Sequence, residues 1–229
     1  CNSSKEEQLH LTCVAHKAIR SYGDSLSKEV KNAFLGVEGR LNEMQFIVSS
    51  QNNYELIADA IQKKTEFDKW SVETESYQSM LDHSYQVQEL RTLFDKKDFD
   101  EIVGRGAFPL TPLSACLLLR LSEKIAQNER TLFTFLTGKD MYSLATYVER
   151  CSNVEFSGAP LIYDYFSQLL EGEKDLAVHQ EWLNAENAIG KTEDEDARKI
   201  LKAIAVIRMM NQPGELLANA EFLYLATGL

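Results

Sequence analysis

The sequence predicts a mainly α-helical bundle with a small β portion near its N-terminus. From residue 50 onward, apolar side chains recur at spacings of three and four, which is the period of an amphipathic helix. Two short apolar runs that contain β-branched residues precede that region and are typical of strands. The chain has only four prolines and eleven glycines in 229 residues, so few positions interrupt the predicted helices.

The β portion consists of two predicted strands, residues 9–15 (LHLTCVA) and 44–48 (MQFIV), with a short predicted helix over 26–35 between them. Two strands alone make a poor sheet. We therefore expect residues 1–50 to be the remnant of an α/β core whose other strands precede residue 1.

The next predicted helices are marked by their start and stop signals. Ser50 is an expected N-cap, a long helix is predicted over 67–94, and Gly104-Arg105-Gly106 predicts a loop. Thr111-Pro112 is a strong start signal, with threonine as the N-cap and proline at the first helical position. The stripe that follows is Leu113, Leu117, Leu121 and Ile125.

The second half of the chain continues in the same pattern. Thr192 and Glu195 predict a capping box. The helix that follows it is predicted to bury Ile200, Leu201, Ile204 and Ile207, and Pro213-Gly214 predicts a turn. The other predicted helices here are 129–136 (ended by Gly138), 140–151, 160–170, 177–189 and 215–226.

The charge of the chain disfavours nucleic acid and membranes as partners. Its net charge is −11 and no basic patch interrupts the acidic background. Residues 216–229 contain no lysine or arginine, so we expect no direct binding of duplex DNA. The longest apolar runs, such as residues 116–119, are far too short to cross a bilayer.

The four cysteines have no CxxC spacing, and Cys116 and Cys151 are predicted to be buried thiols. A chain of this size needs no disulfide bonds, so we expect a reducing cytoplasm. Cys1, followed by a polar stretch, also suits a lipid-anchored bacterial lipoprotein. We favour the alternative that the chain is a fragment or carries a cloning scar.

No catalytic motif is present. The sequence has no Walker A loop, GxSxG, HExxH or GxGxxG, and its four histidines lack the spacing of metal ligands. Asp98 and Asp100 are interpreted as a solvated acidic face rather than a catalytic pair. Tyr163, Tyr165 and Phe166 are interpreted as core aromatics rather than a platform for stacking bases.

Three segments, taken in order, resemble the C-terminal part of AAA/ORC-like P-loop ATPases of the large bacterial type found in phage-defence and DNA-modification gene clusters. Residues 37–48 (VEGRLNEMQFIV) and the helix after them resemble the end of the nucleotide-binding sheet. Residues 108–136 (FPLTPLSACLLLRLSEKIAQNERTLFTFL) resemble a lid segment, where Thr111 departs from a pattern that usually reads HPL. The third segment resembles a winged-helix-like end and comprises LIYDYFSQLL, ILKAIAVIRMM and ELLANAEFLYLATGL.

The resemblance implies an organisation and a set of ligands. Residues 1–50 would be the core remnant, 51–150 the helical lid and 151–229 a winged-helix-like helical domain. ATP and Mg²⁺ would bind the intact protein through a P-loop core that lies upstream. A homo-oligomer and a protein partner are implied, while the chain alone would be inactive.

The resemblance also implies three site residues. Arg40 would be an arginine finger that reaches a neighbouring subunit's γ-phosphate; the alternative is a surface arginine paired with Glu38 or Glu43. His16 would stand at a sensor position after the first strand, although an ordinary surface histidine is favoured there. Arg130 would be a lid arginine that touches phosphate, with a structural ion pair to Glu129 or Glu123 as the favoured alternative.

Two other function classes stay open. One is a helical protein–protein interaction module that never binds nucleotide, and the other is the lipoprotein anchored through Cys1. The upstream coding sequence discriminates among them, because GxxxxGK[ST] supports the ATPase and a lipobox supports the lipoprotein.

Overall fold

The computed structural model describes residues 50–126, 129–151, 155–210 and 218–228, with the backbone alone at residues 126, 129 and 130. All of these residues belong to one compact unit, Val48–Leu229. The predicted strands at 9–15 and 44–48 and the predicted helix at 26–35 lie outside the described residues.

Helices make up nearly all the regular secondary structure in the described ranges, and the prediction of a mainly α-helical bundle is confirmed. The helices are α1 (Ser50–Ala60), α2 (Phe67–Glu73), α3 (Glu75–Ser84), α4 (Gln88–Leu93), α5 (Lys96–Asp98), α6 (Pro112–Leu121), α7 (Glu129–Thr137), α8 (Leu144–Arg150), α9 (Ala159–Glu171), α10 (Leu176–Ile189), α11 (Glu195–Met210) and α12 (Ala220–Thr227). Two π-helical stretches, π1 (Phe99–Arg105) and π2 (Ser122–Ala126), precede and follow α6. Those ranges contain no strand, and an isolated parallel bridge joins Leu110 to Ser157.

Helix α6 starts where the sequence predicts. The Thr111 hydroxyl oxygen accepts a hydrogen bond from the Ser114 backbone N–H at 3.1 Å, and Pro112 occupies the first turn. The Ser114 hydroxyl in turn donates to the Ala226 carbonyl oxygen at 2.9 Å. This bond ties the beginning of α6 to the end of α12, which is far away in the sequence.

The core of the unit is built around α6. Nine of its ten residues are buried, which is the pattern of a helix that is apolar all round. It packs against α3, α9, α11 and α12. Leu113, Leu117 and Leu121 of the predicted stripe are fully buried, while Ile125 is half-buried at the edge of the same hydrophobic cluster.

The prediction of one helix over 67–94 is wrong, because the chain breaks there into α2, α3 and α4. Thr74 is extended between α2 and α3, and its hydroxyl donates to the Trp70 carbonyl oxygen at 2.7 Å. The break lets the Phe67 and Tyr77 ring centroids approach to 5.9 Å. In a continuous helix ten residues rise about 15 Å, so that contact would not form. Aromatic packing therefore overrides the helical periodicity.

The predicted loop at Gly104-Arg105-Gly106 is also wrong, since these residues continue the helical backbone of π1. Here the glycines allow close packing. A Cβ on Gly106 would lie 2.5 Å from the Cβ of Ala58, and one on Gly104 would lie 2.9 Å from a methyl group of Leu81. The missing side chains let α1 and α3 approach this stretch.

Several helix starts differ from the predicted ones because a nearer side chain caps the backbone. The Asp194 carboxylate, not Thr192, accepts from the backbone N–H groups of residues 196 and 197. Ser143 caps α8, which begins later than the predicted residue 140. Asn219 caps α12, which begins at Ala220, and residues 215–217 of the predicted helix lie outside the described residues.

The predicted buried face of α11 is correct only in part. Ile207 is fully buried, Leu201 and Ile204 are half-buried, and Ile200 is exposed. Burial is concentrated in the C-terminal half of the helix. Its buried residues are Ala203, Ala205, Val206, Ile207, Met209 and Met210.

Helices from both sides of residue 150 share one hydrophobic cluster, since α6 contacts α9, α11 and α12 directly. The predicted division of residues 51–150 and 151–229 into a lid and a winged-helix-like domain stays a prediction. In 155–210 and 218–228 the winged-helix-like segment contributes helices α9 to α12 and no strand. The predicted turn at Pro213-Gly214 lies outside the described residues.

Candidate functional site

None of the three site residues implied by the resemblance has a described side chain. Arg40 and His16 lie outside the described residues. The backbone of Arg130 is in the first turn of α7, but its side chain is outside the described part. All three assignments stay predictions.

A cleft in the described part of the chain has a volume of about 760 Å³ and opens between α9, α10, α11 and the loop before α8. That volume lies within the range of protein ligand clefts. We call it the α9–α11 cleft. Its lining residues are Thr131, Asp140, Met141, Tyr142, Tyr163, Asp164, Tyr165, Ser167, Gln168, Leu169, Glu186, Ile189 and Lys202.

Two pairs of polar side chains lie in the α9–α11 cleft and connect its helices. The Lys202 ammonium of α11 lies 2.7 Å from a carboxylate oxygen of Asp164 on α9. The Tyr163 hydroxyl donates to the Glu186 carboxylate of α10 at 2.7 Å. Both pairs bridge neighbouring helices, so they fix the relative positions of the three cleft walls.

Burial raises the pKa values of Asp164 and Tyr163. It raises the pKa of the Asp164 carboxyl, and the Lys202 ammonium opposes that shift. Burial, followed by the hydrogen bond to Glu186, raises the pKa of the Tyr163 phenol well above its usual range. Tyr163 therefore stays a neutral hydrogen-bond donor.

The cleft carries net negative charge, because Asp140, Asp164 and Glu186 line it with Lys202 as the cation. Lys202 is already paired with Asp164. In the part of the chain that the structure describes, Asp140 and Glu186 have no cation within ion-pair distance. The cleft can therefore accept further positive charge.

Apolar side chains form one rim of the cleft. Met141 is 61% exposed, Leu169 is 44% exposed and Tyr142 is 41% exposed. Single exposed apolar residues are common on protein surfaces, but these three line the same cleft. They combine an apolar contact surface with the acidic centre.

A second cleft, of about 570 Å³, lies beside α1 and π1 and contains Lys63. The Lys63 ammonium donates to the Gly106 carbonyl oxygen at 2.9 Å and to the Ile61 carbonyl oxygen at 3.2 Å. Burial, together with the nearby Arg105 charge, lowers the pKa of Lys63 to about 8. Its two carbonyl contacts tie the chain after α1 to the end of π1, which is a structural role.

The other ionisable residues that the structure describes have structural partners or lie exposed on the surface. Within the described ranges, no cluster of three His, Cys, Asp or Glu side chains is arranged to hold a metal ion. His179 stacks on Trp182, with ring centroids 5.5 Å apart, and His83 is exposed. The Asp100 carboxylate binds the Lys96 ammonium at 2.9 Å, while Asp98 is exposed.

Of the two cysteines predicted to be buried, one is buried and the other is exposed. Cys116 is buried as predicted, and burial raises the pKa of its thiol to about 12, which disfavours the reactive thiolate. Cys151 is exposed, so its predicted burial is wrong. It follows the last residue of α8, where the chain leaves the helix for the surface.

The sequence interpretation missed the α9–α11 cleft, although it correctly assigned Tyr163 and Phe166, on the helix that forms one wall, to the core. Tyr163 and Phe166 are buried core residues as predicted, and Tyr165 packs against Phe135 with ring centroids 5.1 Å apart. The available signal was Asp164, a charged residue between aromatic neighbours in an apolar helix. Its partner Lys202 lies 38 positions away, so sequence spacing alone does not reveal the pair.

No helix within the described ranges combines the length and the apolar character that spanning a membrane requires. Comparison of the chain with protein-family models, curated proteins and solved structures finds no match.

Proposed function

We propose that this chain is the helical lid and C-terminal part of an AAA-type ATPase, and that it couples the nucleotide state of the intact protein to contacts with a protein partner. In this proposal ATP and Mg²⁺ bind a P-loop core upstream of the chain. The sequence itself contains no GxxxxGK[ST] loop to hold the phosphates. The chain contributes the parts that move and make contacts.

The observation that carries the proposal is the mutual packing of the segments in which the resemblance lies. Helix α6 belongs to residues 108–136, and it packs against α9, α11 and α12, which belong to the C-terminal segments. Segments of a single module are expected to share one core, and these segments do.

The same packing supports a coupling role. Helix α6 contacts α9 and α11, which form two walls of the α9–α11 cleft. Close-packed interiors transmit displacements between helices with little compression. A shift of α6 in response to nucleotide would therefore be felt at the cleft, where the exposed apolar and acidic groups are available to a partner.

The isolated chain should not hydrolyse ATP, because it lacks the backbone cradle, the lysine and the magnesium-binding acid. A phosphate-release assay on the purified chain tests this, and the intact protein serves as the positive control. Turnover by the chain that survives stringent purification would contradict the assignment.

The proposed role of Arg40 is tested in the intact protein. Arg40→Ala should reduce ATP turnover by roughly 10³-fold or more, while ATP binding and folding change little, because an arginine finger stabilises charge that develops in the transition state. Arg91→Ala is the matched control, since Arg91 is exposed on α4. A surface ion pair contributes about 0 to 1 kcal/mol, so near-normal turnover in Arg40→Ala would remove the arginine-finger assignment.

A helical interaction module that never binds nucleotide is the second candidate, and the α9–α11 cleft favours it. Its apolar rim and acidic centre suit a protein contact whether or not ATP is involved. Binding of a fluorescent ATP analogue by the intact protein separates the two candidates. Its absence, with partner binding intact, would select the interaction module.

A further inference from the structure

We propose that the α9–α11 cleft binds a protein segment that presents lysine or arginine side chains beside apolar ones. This deepens the partner-contact half of the proposed function. The binding test contains no nucleotide, so a negative result would not contradict the proposal that the chain belongs to an ATPase.

The acidic centre identifies the charge of the occupant. Asp140 and Glu186 line the cleft and have no cation within ion-pair distance among the residues that the structure describes. Glu195 lies close enough to Asp164 to raise its pKa further, so the electrostatic field extends beyond the lining residues. A cationic side chain is attracted into such a cleft, and an anionic one is repelled.

The chain itself contains an example of the contact. Lys202 enters the cleft from α11, and its ammonium lies 2.7 Å from an Asp164 carboxylate oxygen. The cleft therefore accommodates an alkylammonium group against a carboxylate. A lysine from another protein would place its ammonium against Glu186 or Asp140 in the same manner.

The apolar rim identifies the occupant as a protein segment rather than a small cation. Met141, Tyr142 and Leu169 are exposed to between 41% and 61%. A polyamine has too little apolar surface to cover three such side chains. An amphipathic helix presents apolar and cationic side chains along adjacent stripes, which matches the rim and the acidic centre.

The test measures binding of a fluorescein-labelled helical peptide of leucine and lysine to the full chain, by anisotropy at physiological salt. A glutamate-for-lysine peptide and a scrambled leucine–lysine peptide are the probe controls. We expect saturable binding of the patterned leucine–lysine peptide, with both controls at least about tenfold weaker. Equal affinity for the scrambled peptide would overturn the proposal, because it would show attraction to the net charge of −11 alone.

Variants of exposed residues locate the binding. Leu169→Ser should weaken the peptide at least about tenfold, the change expected when one leucine side chain is no longer buried. Leu176→Ser is the matched control, because Leu176 is 83% exposed at the start of α10 and does not line the cleft. Equal losses in both variants would overturn the assignment to this cleft.

The acidic contribution is tested in the same way. Glu186→Gln should weaken the peptide, whereas Glu171→Gln, at an exposed position of α9 outside the cleft, should not. Spermidine is added as a competitor. If spermidine displaces the peptide completely and Leu169→Ser has no effect, the cleft is a small-cation site and the protein-segment proposal is wrong.

Discussion

The polar groups around α6 and those in the α9–α11 cleft differ in their exposure to water. Around α6 the Thr111 and Ser114 hydroxyls are buried and bond within the chain, which fixes the helix start and its contact with α12. In the cleft, Asp164 and Lys202 are paired but remain partly open to water. Glu186 is exposed, although its carboxylate accepts a hydrogen bond from the Tyr163 hydroxyl.

This difference in exposure indicates which residues contribute to stability and which are available for binding. Buried groups with partners in the chain contribute to folding, and their loss leaves a cavity or an unsatisfied atom. Exposed acids beside exposed apolar side chains contribute little to folding and remain available to another molecule. We therefore expect substitutions near α6 to change the free energy of unfolding, and substitutions at the cleft rim to change binding.

The largest effect should come from Leu117→Ala. Leu117 is fully buried in α6, so the change leaves a cavity and should lower the free energy of unfolding by about 2–5 kcal/mol. Leu169→Ala, at an exposed rim position, should change it by less than about 0.5 kcal/mol. Urea denaturation followed by circular dichroism gives both values. Similar losses in the two variants would break the proposed separation.

A smaller effect is expected from the two hydroxyl contacts. Ser114→Ala removes the donor to the Ala226 carbonyl oxygen in a buried site and should cost about 1–3 kcal/mol. Tyr163→Phe removes the donor to Glu186, but that carboxylate is exposed to water, so the cost should be below about 1 kcal/mol. Urea midpoints measured side by side test the order, and a larger loss in Tyr163→Phe would reverse the comparison.

The smallest effect is a pH dependence at Asp164. Burial raises the pKa of this carboxyl above 3.8, so the folded chain binds its proton more tightly than the unfolded chain does. Stability falls with rising pH wherever the folded state holds more protons. Asp164 should therefore contribute a decrease in the free energy of unfolding from about pH 3.8 up through its raised pKa.

Asp164→Asn removes this contribution, so the difference in unfolding free energy between the original chain and the variant should shrink with rising pH and then level off. Denaturant unfolding across a pH series measures that difference. Leu169→Ala, which changes no ionisable group, supplies the baseline. A difference that grows with pH would mean that the ion pair with Lys202, rather than burial, dominates the Asp164 pKa.

The sequence predicts local features well where one residue determines the geometry. Thr111-Pro112 defines the start of α6 because a hydroxyl cap and a missing N–H both act within one turn. Prediction from the sequence fails where contacts between distant residues determine the backbone conformation. Periodicity alone predicts a continuous helix, but the contact between the Phe67 and Tyr77 rings requires a break in it. Gly104 and Gly106 allow close packing rather than forming a turn.

The cleft could not be predicted for the same reason. Its central contacts join Tyr163 to Glu186 and Asp164 to Lys202, and each pair bridges two helices. Nothing in the local pattern encodes which helices become neighbours. A lone aspartate among aromatic residues indicates only that a partner must exist.

The central claim is that this chain belongs to an ATPase, and ATP turnover by the intact protein tests it most directly. Phosphate release is measured with Mg²⁺ present and after chelation by EDTA. The proposal predicts turnover that requires Mg²⁺ in the intact protein and none in the isolated chain. An intact protein that neither binds nor hydrolyses ATP would contradict it.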